Sequence, residues 1–102
     1  MEHPVTLDET TGYDRTQSYS YTRVADLGGR RVRARIHRDY YPVQSHAVAE
    51  VLSDARTWTH LAQADPSGWH ADTPDPPSGV DARRELAPLA DRLIDRAAAI
   101  LA

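Results

Sequence analysis

The chain has 102 residues and a formal net charge of −3, and it contains no cysteine, lysine, asparagine or phenylalanine. This length predicts one domain with one hydrophobic core. The missing cysteine excludes a disulfide scaffold, a cysteine zinc site and a thiol nucleophile. All 12 basic residues are arginine. Because the missing residues have AT-rich codons or are rare, this bias is typical of a GC-rich bacterial genome.

Membrane and targeting signals are absent from the sequence. No apolar stretch approaches the ~18 residues of a membrane-spanning helix. The first ten residues, MEHPVTLDET, have neither the basic nor the apolar segment of a secretory signal peptide. The sequence therefore predicts a small soluble protein of the cytoplasm.

Charge is distributed unevenly along the chain. The nine residues Arg30 to Arg38 hold five arginines and carry +5, so the other 93 residues carry −8. A pI of about 5.9 is not typical of a dedicated nucleic-acid binder. Two interpretations of the basic segment stay open. Acidic residues elsewhere, such as Asp26, pair with the arginines, or the segment forms a patch for phosphate or an acidic partner.

The first 17 residues are polar, and only Val5, Leu7 and Tyr13 are candidates for burial. This composition predicts a flexible N-terminal arm over residues 1–17, in which residues 5–7 could add an edge contact to a sheet. Residues 18–102 are then predicted to form a single compact domain.

Residues 18–40 predict a β-hairpin with a two-residue turn at Gly28–Gly29. This loop length pairs Leu27 with Arg30 and Tyr21 with Ile36. Strand side chains alternate, and a slip of one residue would bury three arginines, so the register is strongly specified. One face of the hairpin is predicted to carry Arg31, Arg33, Arg35 and His37. The other, apolar face carries Tyr19, Tyr21, Ala25, Val32, Ala34 and Ile36.

Residues 42–64 have two interpretations. The apolar positions over 43–55 fit a helix that begins at Pro42. Against this, Ser53 and Asp54 are turn residues, and the β-branched and aromatic run after them favours strands. The strand interpretation is favoured narrowly and gives an antiparallel meander of about four strands. The alternative is a β-hairpin with two or three helices.

The last third of the chain predicts a loop and then a helix. Residues 65–79 hold four prolines and are predicted to be neither helix nor strand, with Trp69 as an anchor or an interface residue. Apolar positions over 80–101 recur at helical spacing. Ser78 is the predicted cap, and Pro88 predicts a kink or a fresh start. The predicted architecture is α+β, with one C-terminal helix on one face of the meander.

Catalytic and metal-binding patterns are weak. The five histidines form no compact pair, and His37 with Asp39 would supply half of a metal site. The polar run Asp39 to Ser45 is the densest cluster, but it fits an ordinary turn. No nucleophile stands beside a base. The sequence therefore predicts a protein without catalytic activity, metal or cofactor.

The arginine-rich face gives the functional hypothesis. Arginines at every second residue lie about 6.5–7 Å apart along a strand, which matches the spacing of successive phosphates, and arginine also pairs bidentately with carboxylates. We expect a small binding or regulatory protein that docks an anionic protein partner, with nucleic-acid binding through the same face as the alternative. A homodimer through the strand Tyr19–Leu27, if that strand lies outermost, is a further possibility. The predicted partner-binding residues are Arg31, Arg33, Arg35, His37, Tyr40, Tyr41 and Trp69.

Overall fold

The computed structural model describes residues 3–14, 17–76 and 80–102. Within them, five strands form one antiparallel sheet in chain order. The predicted α+β meander with a C-terminal helix is confirmed, with five strands instead of about four. Residues 46–52 form a strand, so the favoured interpretation of this segment is confirmed and the alternative helix is wrong. The strands are β1 (Val5–Asp14), β2 (Ser18–Leu27), β3 (Arg30–Asp39), β4 (His46–Leu52) and β5 (Trp58–Gln63). The helices are α1 (Pro66–Trp69) and α2 (Ala82–Leu101), with 3-10 turns at Pro42–Gln44 and His70–Asp72.

The hairpin of β2 and β3 has the predicted register, from Leu27 opposite Arg30 to Tyr21 opposite Ile36. Its turn needs glycine, since Gly28 and Gly29 have φ values of +61° and +89°. The predicted apolar side chains of the hairpin are buried. Local turn chemistry and alternation therefore determine this part of the fold.

Strand β1 corrects the prediction of a flexible arm. Residues 5–14 pair along the whole of β2, with a bulge between Thr6 and Asp8. The strand is attached by polar contacts: the Glu9 carboxylate accepts from Arg83 at 2.7 Å, and the Tyr13 hydroxyl accepts from the Ala82 amide at 3.1 Å. Because β1 buries little apolar surface, its sequence lacks the alternation that indicates a strand.

The edges of the sheet are β1 and β5, so β2 is an interior strand. The predicted condition for a homodimer, an outermost strand Tyr19–Leu27, is therefore wrong. A strand with a hydrogen-bonded neighbour on each side has no free edge for a second copy.

Helix α2 lies across one face of the sheet and contacts all five strands. The Asp81 carboxylate caps it by accepting from the Arg84 amide at 3.2 Å, while the predicted cap, Ser78, lies outside the described residues. The helix runs continuously through Pro88, so a fresh start there is wrong. In the described part of the chain, no helix has the length and apolar character to span a membrane. The helix buries Ala82, Leu86, Leu89, Ala90, Leu93, Ile94 and Ala97.

The prediction that residues 65–79 are neither helix nor strand is wrong over residues 66–72, which form α1 and a 3-10 turn. Asp65 caps helix α1, and its carboxylate accepts from the Ser67 amide at 2.9 Å. Trp69 is 2% exposed and lies in the core on the α2 side of the sheet, where its indole Nε1 donates to the Ala64 carbonyl at 3.2 Å. Trp69 therefore anchors the loop to the domain.

Arg38 fastens the next part of this loop. Its side chain is 1% exposed and donates to the Thr73 hydroxyl at 2.7 Å, the His70 carbonyl at 3.0 Å and the Asp75 carboxylate at 2.8 Å. The same guanidinium also donates to the carbonyls of Thr73 and Asp39. A charge this deeply buried requires such compensation. Arg38 thus links strand β3 to residues 70–75.

Candidate binding surface on the open face of the sheet

The sheet face opposite α2 is not covered by any helix or strand of residues 3–14, 17–76 and 80–102. We call this surface the open face. Its side chains come from alternate positions of the strands, and the registers align them in rows across the sheet. One row holds Val24, Arg33, Glu50 and His60, the next holds Thr22, Arg35, Val48 and Gln63, and a third holds Ser20, His37 and His46.

Glu50 lies at the centre of the open face and holds two arginines. Its carboxylate accepts from Arg33 Nε at 2.9 Å and from Arg35 Nε at 3.2 Å. The acid that pairs with the arginines is therefore Glu50, not Asp26, whose carboxylate accepts from the Gly29 amide at 3.3 Å. One carboxylate against two guanidinium groups leaves this trio with a net charge of +1.

Burial tends to raise the pKa of Glu50, but the hydrogen bonds from Arg35 and Arg33 outweigh it and hold the pKa below its usual value of 4.5. Glu50 is thus a carboxylate at neutral pH. It is only 8% exposed, so it is shielded by the side chains it holds. The two guanidinium groups are thereby kept together on the surface, as charge-assisted hydrogen bonds favour a fixed geometry.

Trp58 adds an aromatic surface next to this trio. The guanidinium carbon of Arg33 lies 4.3 Å from the centre of the Trp58 ring, within the range of a cation–π contact. Arg33 is therefore held between a carboxylate and an indole. Its side chain is 23% exposed, whereas that of Arg35 is 43% exposed and is the more accessible of the two.

His37 and His46 form a stacked pair beside the arginines. They lie directly opposite each other on β3 and β4, with ring centres 5.3 Å apart and planes inclined by 17°. Burial lowers the pKa of His46 below 6.5, and the charges of His37 and Arg35 lower it further. Asp39 lies 3.9 Å from His37 Nε2. Even so, no three histidine, aspartate or glutamate side chains of the described part of the chain are placed to hold a metal ion.

The predicted site residues divide into three places. Arg31, Arg33, Arg35 and His37 share the open face, as alternation predicts. Tyr40 and Tyr41 follow the end of β3, are exposed, and make an edge-to-face contact with ring centres 5.1 Å apart. Trp69 lies on the α2 side of the sheet, away from the arginines.

The dense polar run after β3 forms a turn. The Ser45 hydroxyl accepts from the Asp39 amide at 2.9 Å and donates to the Tyr41 carbonyl at 3.1 Å. The Asp39 carboxylate accepts from the Tyr41 amide at 3.0 Å. These polar groups are thus used by the backbone of the turn itself.

Sequence reasoning missed Glu50, Trp58 and His46 as members of the site. Both β4 and β5 were predicted as strands, but the register that places β4 against β3 and β5 against β4 was not. That register follows from the turn over residues 40–45 and from a bulge next to Glu50 in the pairing of β4 with β5. His46 and Glu50, four residues apart on one predicted strand and therefore on the same face, were the available signal.

Comparison with known proteins gives no relative: no protein-family model, curated protein or solved structure matches the chain. Function is therefore inferred from the chemistry of the site alone.

Proposed function

We propose that the protein is a non-catalytic binding module of the cytoplasm, which docks an acidic segment of a partner protein on the open face. The contact surface comprises Arg31, Arg33, Arg35 and His37, with Tyr40 and Tyr41 at its margin. One observation carries the proposal: two arginines share a single carboxylate on a sheet face that the described residues leave uncovered.

The charge of the surface suits a carboxylate-bearing partner. In the middle of the open face, Arg31, Arg33 and Arg35 face two acids, Glu50 and Asp26, the latter directly opposite Arg31, so this region has a charge of +1 with histidines counted as neutral. Arginine pairs bidentately with carboxylates, and Arg35 keeps N–H groups that Glu50 does not use. An acidic segment would supply the missing negative charge.

The uncharged part of the surface favours a protein over a nucleic acid. Val24, Val48 and Trp58 are half-buried and flank the arginines, and a mixture of tryptophan and arginine with aliphatic side chains is typical of protein interfaces. Glu50 occupies the position between Arg33 and Arg35, so a phosphate or a carboxylate of a partner is left with the N–H groups of Arg35 that Glu50 does not use. The acidic remainder of the chain repels any long polyanion.

The experiment compares two fluorescein-labelled peptides, one with alternating glutamate and leucine and the other with glutamine for each glutamate. Binding is measured by fluorescence polarisation at about 50 and 200 mM salt, next to DNA oligonucleotides of similar length. We expect the glutamate peptide to bind about tenfold more tightly than the glutamine peptide, because it alone offers charged acceptors. Arg35→Gln should weaken that binding about fivefold.

Arg84→Gln is the matched control, since it removes one exposed arginine from α2 on the other side of the sheet. It should leave the affinity unchanged. Equal affinities for the two peptides, or equal losses in Arg35→Gln and Arg84→Gln, would contradict the proposal. Tighter binding of DNA than of the glutamate peptide, with a steep loss at the higher salt concentration, would assign the open face to nucleic acid instead.

A further inference from the structure

A cleft of about 300 Å³ lies between α1 and α2, on the side of the sheet that α2 covers. Trp69, Leu89 and Leu93 form its apolar floor, and because each is at most 5% exposed, only the edges of these side chains face the cleft. The volume is at the lower end of the range for pockets that bind small molecules. The cleft is therefore large enough for one aromatic ring or a short branched chain with a polar end.

Basic residues outnumber acidic residues at this cleft. Arg92 and Arg96 line it from α2 and, being four residues apart, lie on the same side of the helix. Arg96 donates from Nη1 to the Gln63 carbonyl at 2.7 Å, which holds its side chain at the end of β5. Asp65 also lines the cleft, but its carboxylate is engaged by the Ser67 amide at the start of α1. Two cations against one engaged anion give the cleft a charge of +1.

We propose that the cleft binds a small free carboxylic acid with an apolar body. The body packs over the apolar floor and against the aliphatic stems of Arg92 and Arg96, whose guanidinium groups pair with the carboxylate. An apolar lining combined with a few charged groups is the usual composition of a small-molecule site, and paired guanidinium groups are the side chains best suited to a carboxylate. Because this site is separate from the open face, the proposal does not depend on the proposed function.

The two tryptophans make the site directly measurable. Trp58 lies on the open face and Trp69 lines the cleft, so Trp58→Phe leaves one indole that reports on the cleft. In that background, 4-phenylbutyrate is titrated against Trp69 emission and against the indole N–H signal of Trp69 in a ¹H–¹⁵N spectrum. The neutral amide, 4-phenylbutyramide, has the same apolar body and is the matched ligand.

We expect a saturable response to 4-phenylbutyrate, and an affinity for the amide that is weaker by about tenfold because the amide carries no charge. Arg92→Gln, at an exposed position, should weaken carboxylate binding about fivefold. Arg84→Gln, one arginine elsewhere on α2, should not change it. Equal affinities for acid and amide, or equal losses in the two arginine variants, would overturn the proposal. So would the absence of a saturable change in both signals up to about 10 mM ligand, since such an affinity is below ~3 kcal/mol.

Discussion

Strand β3 carries arginine on both of its faces, and the guanidinium groups of the two faces differ in burial and in hydrogen-bond partners. On the α2 side, Arg38 is 1% exposed and donates from all three of its nitrogens to groups of the same chain. On the open face, Arg35 is far more exposed and shares the single carboxylate of Glu50 with Arg33. An arginine whose donors are satisfied within the chain fixes a loop, while an arginine with donors to spare on an uncovered face is available to a partner.

Replacing Arg38 should produce the largest loss of stability. Arg38→Met keeps an unbranched apolar side chain but leaves the Thr73 carbonyl and the Asp75 carboxylate without the donor that Arg38 supplies. We expect the free energy of unfolding to fall by about 3 kcal/mol, measured by urea denaturation. The loop over residues 70–75 should also become more susceptible to proteolysis.

The same measurement on Arg35→Gln distinguishes the two faces. Because Arg35 is 43% exposed, its loss should cost less than about 1 kcal/mol. Similar losses in Arg38→Met and Arg35→Gln would contradict the assignment of one arginine to structure and the other to binding.

Removing the shared carboxylate should lower the stability of the protein but strengthen its binding of the acidic peptide. Glu50→Gln keeps the shape of the side chain but leaves Arg33 and Arg35 adjacent without a counter-charge. We expect the free energy of unfolding to fall by about 1–2 kcal/mol. The acidic peptide should bind more tightly by about threefold at low salt, because the open face gains positive charge. Weaker peptide binding in Glu50→Gln would contradict this prediction, because it would mean that the Glu50 carboxylate itself contributes to peptide binding.

The sequence predicts the surroundings of an arginine on β3 only where residues close to it in the chain determine them. The hairpin register follows from Gly28–Gly29 and from alternation, so the open-face position of Arg33 and Arg35 was predictable. Alternation also places Arg38 on the apolar face, but its partners in the loop lie 32 to 37 residues away, in a segment without periodicity.

The other failures have the same cause, which is that distant contacts leave no repeating pattern in the sequence. Glu50 meets its arginines only because the turn over 40–45 sets the register of β4 against β3. Strand β1 was missed because an edge strand attached through Glu9 and Tyr13 needs no apolar alternation. Hydrophobic periodicity reports burial, and both features depend on polar contacts instead.

Acid should weaken the centre of the open face. The pKa of Glu50 is lower in the folded protein than in the unfolded chain, so the unfolded chain binds the proton more readily. The stabilising contribution of Glu50 is therefore complete above about pH 4.5 and is lost as the pH falls through the lowered pKa. In urea denaturation between about pH 3 and pH 6, Glu50→Gln should show a smaller loss of stability on acidification than the parent chain. Parallel pH profiles would contradict this role.

The smallest expected effect concerns His46, which reports the electrostatic field of the open face. Burial lowers its pKa, and the positive charge of Arg35 and the neighbouring His37 add to that effect. An NMR titration of the imidazole should therefore give a pKa below about 6.5, and a higher value in Arg35→Gln. The pKa of His46 should also rise when the acidic peptide is bound, since added carboxylates favour the charged imidazole. Arg38→Met should not reproduce this response, because Arg38 lies on the opposite face and is neutralised by its own partners. A His46 pKa that does not change between the parent chain and Arg35→Gln would mean that Glu50 already compensates both arginines, and would remove the charge on which docking of an acidic segment depends.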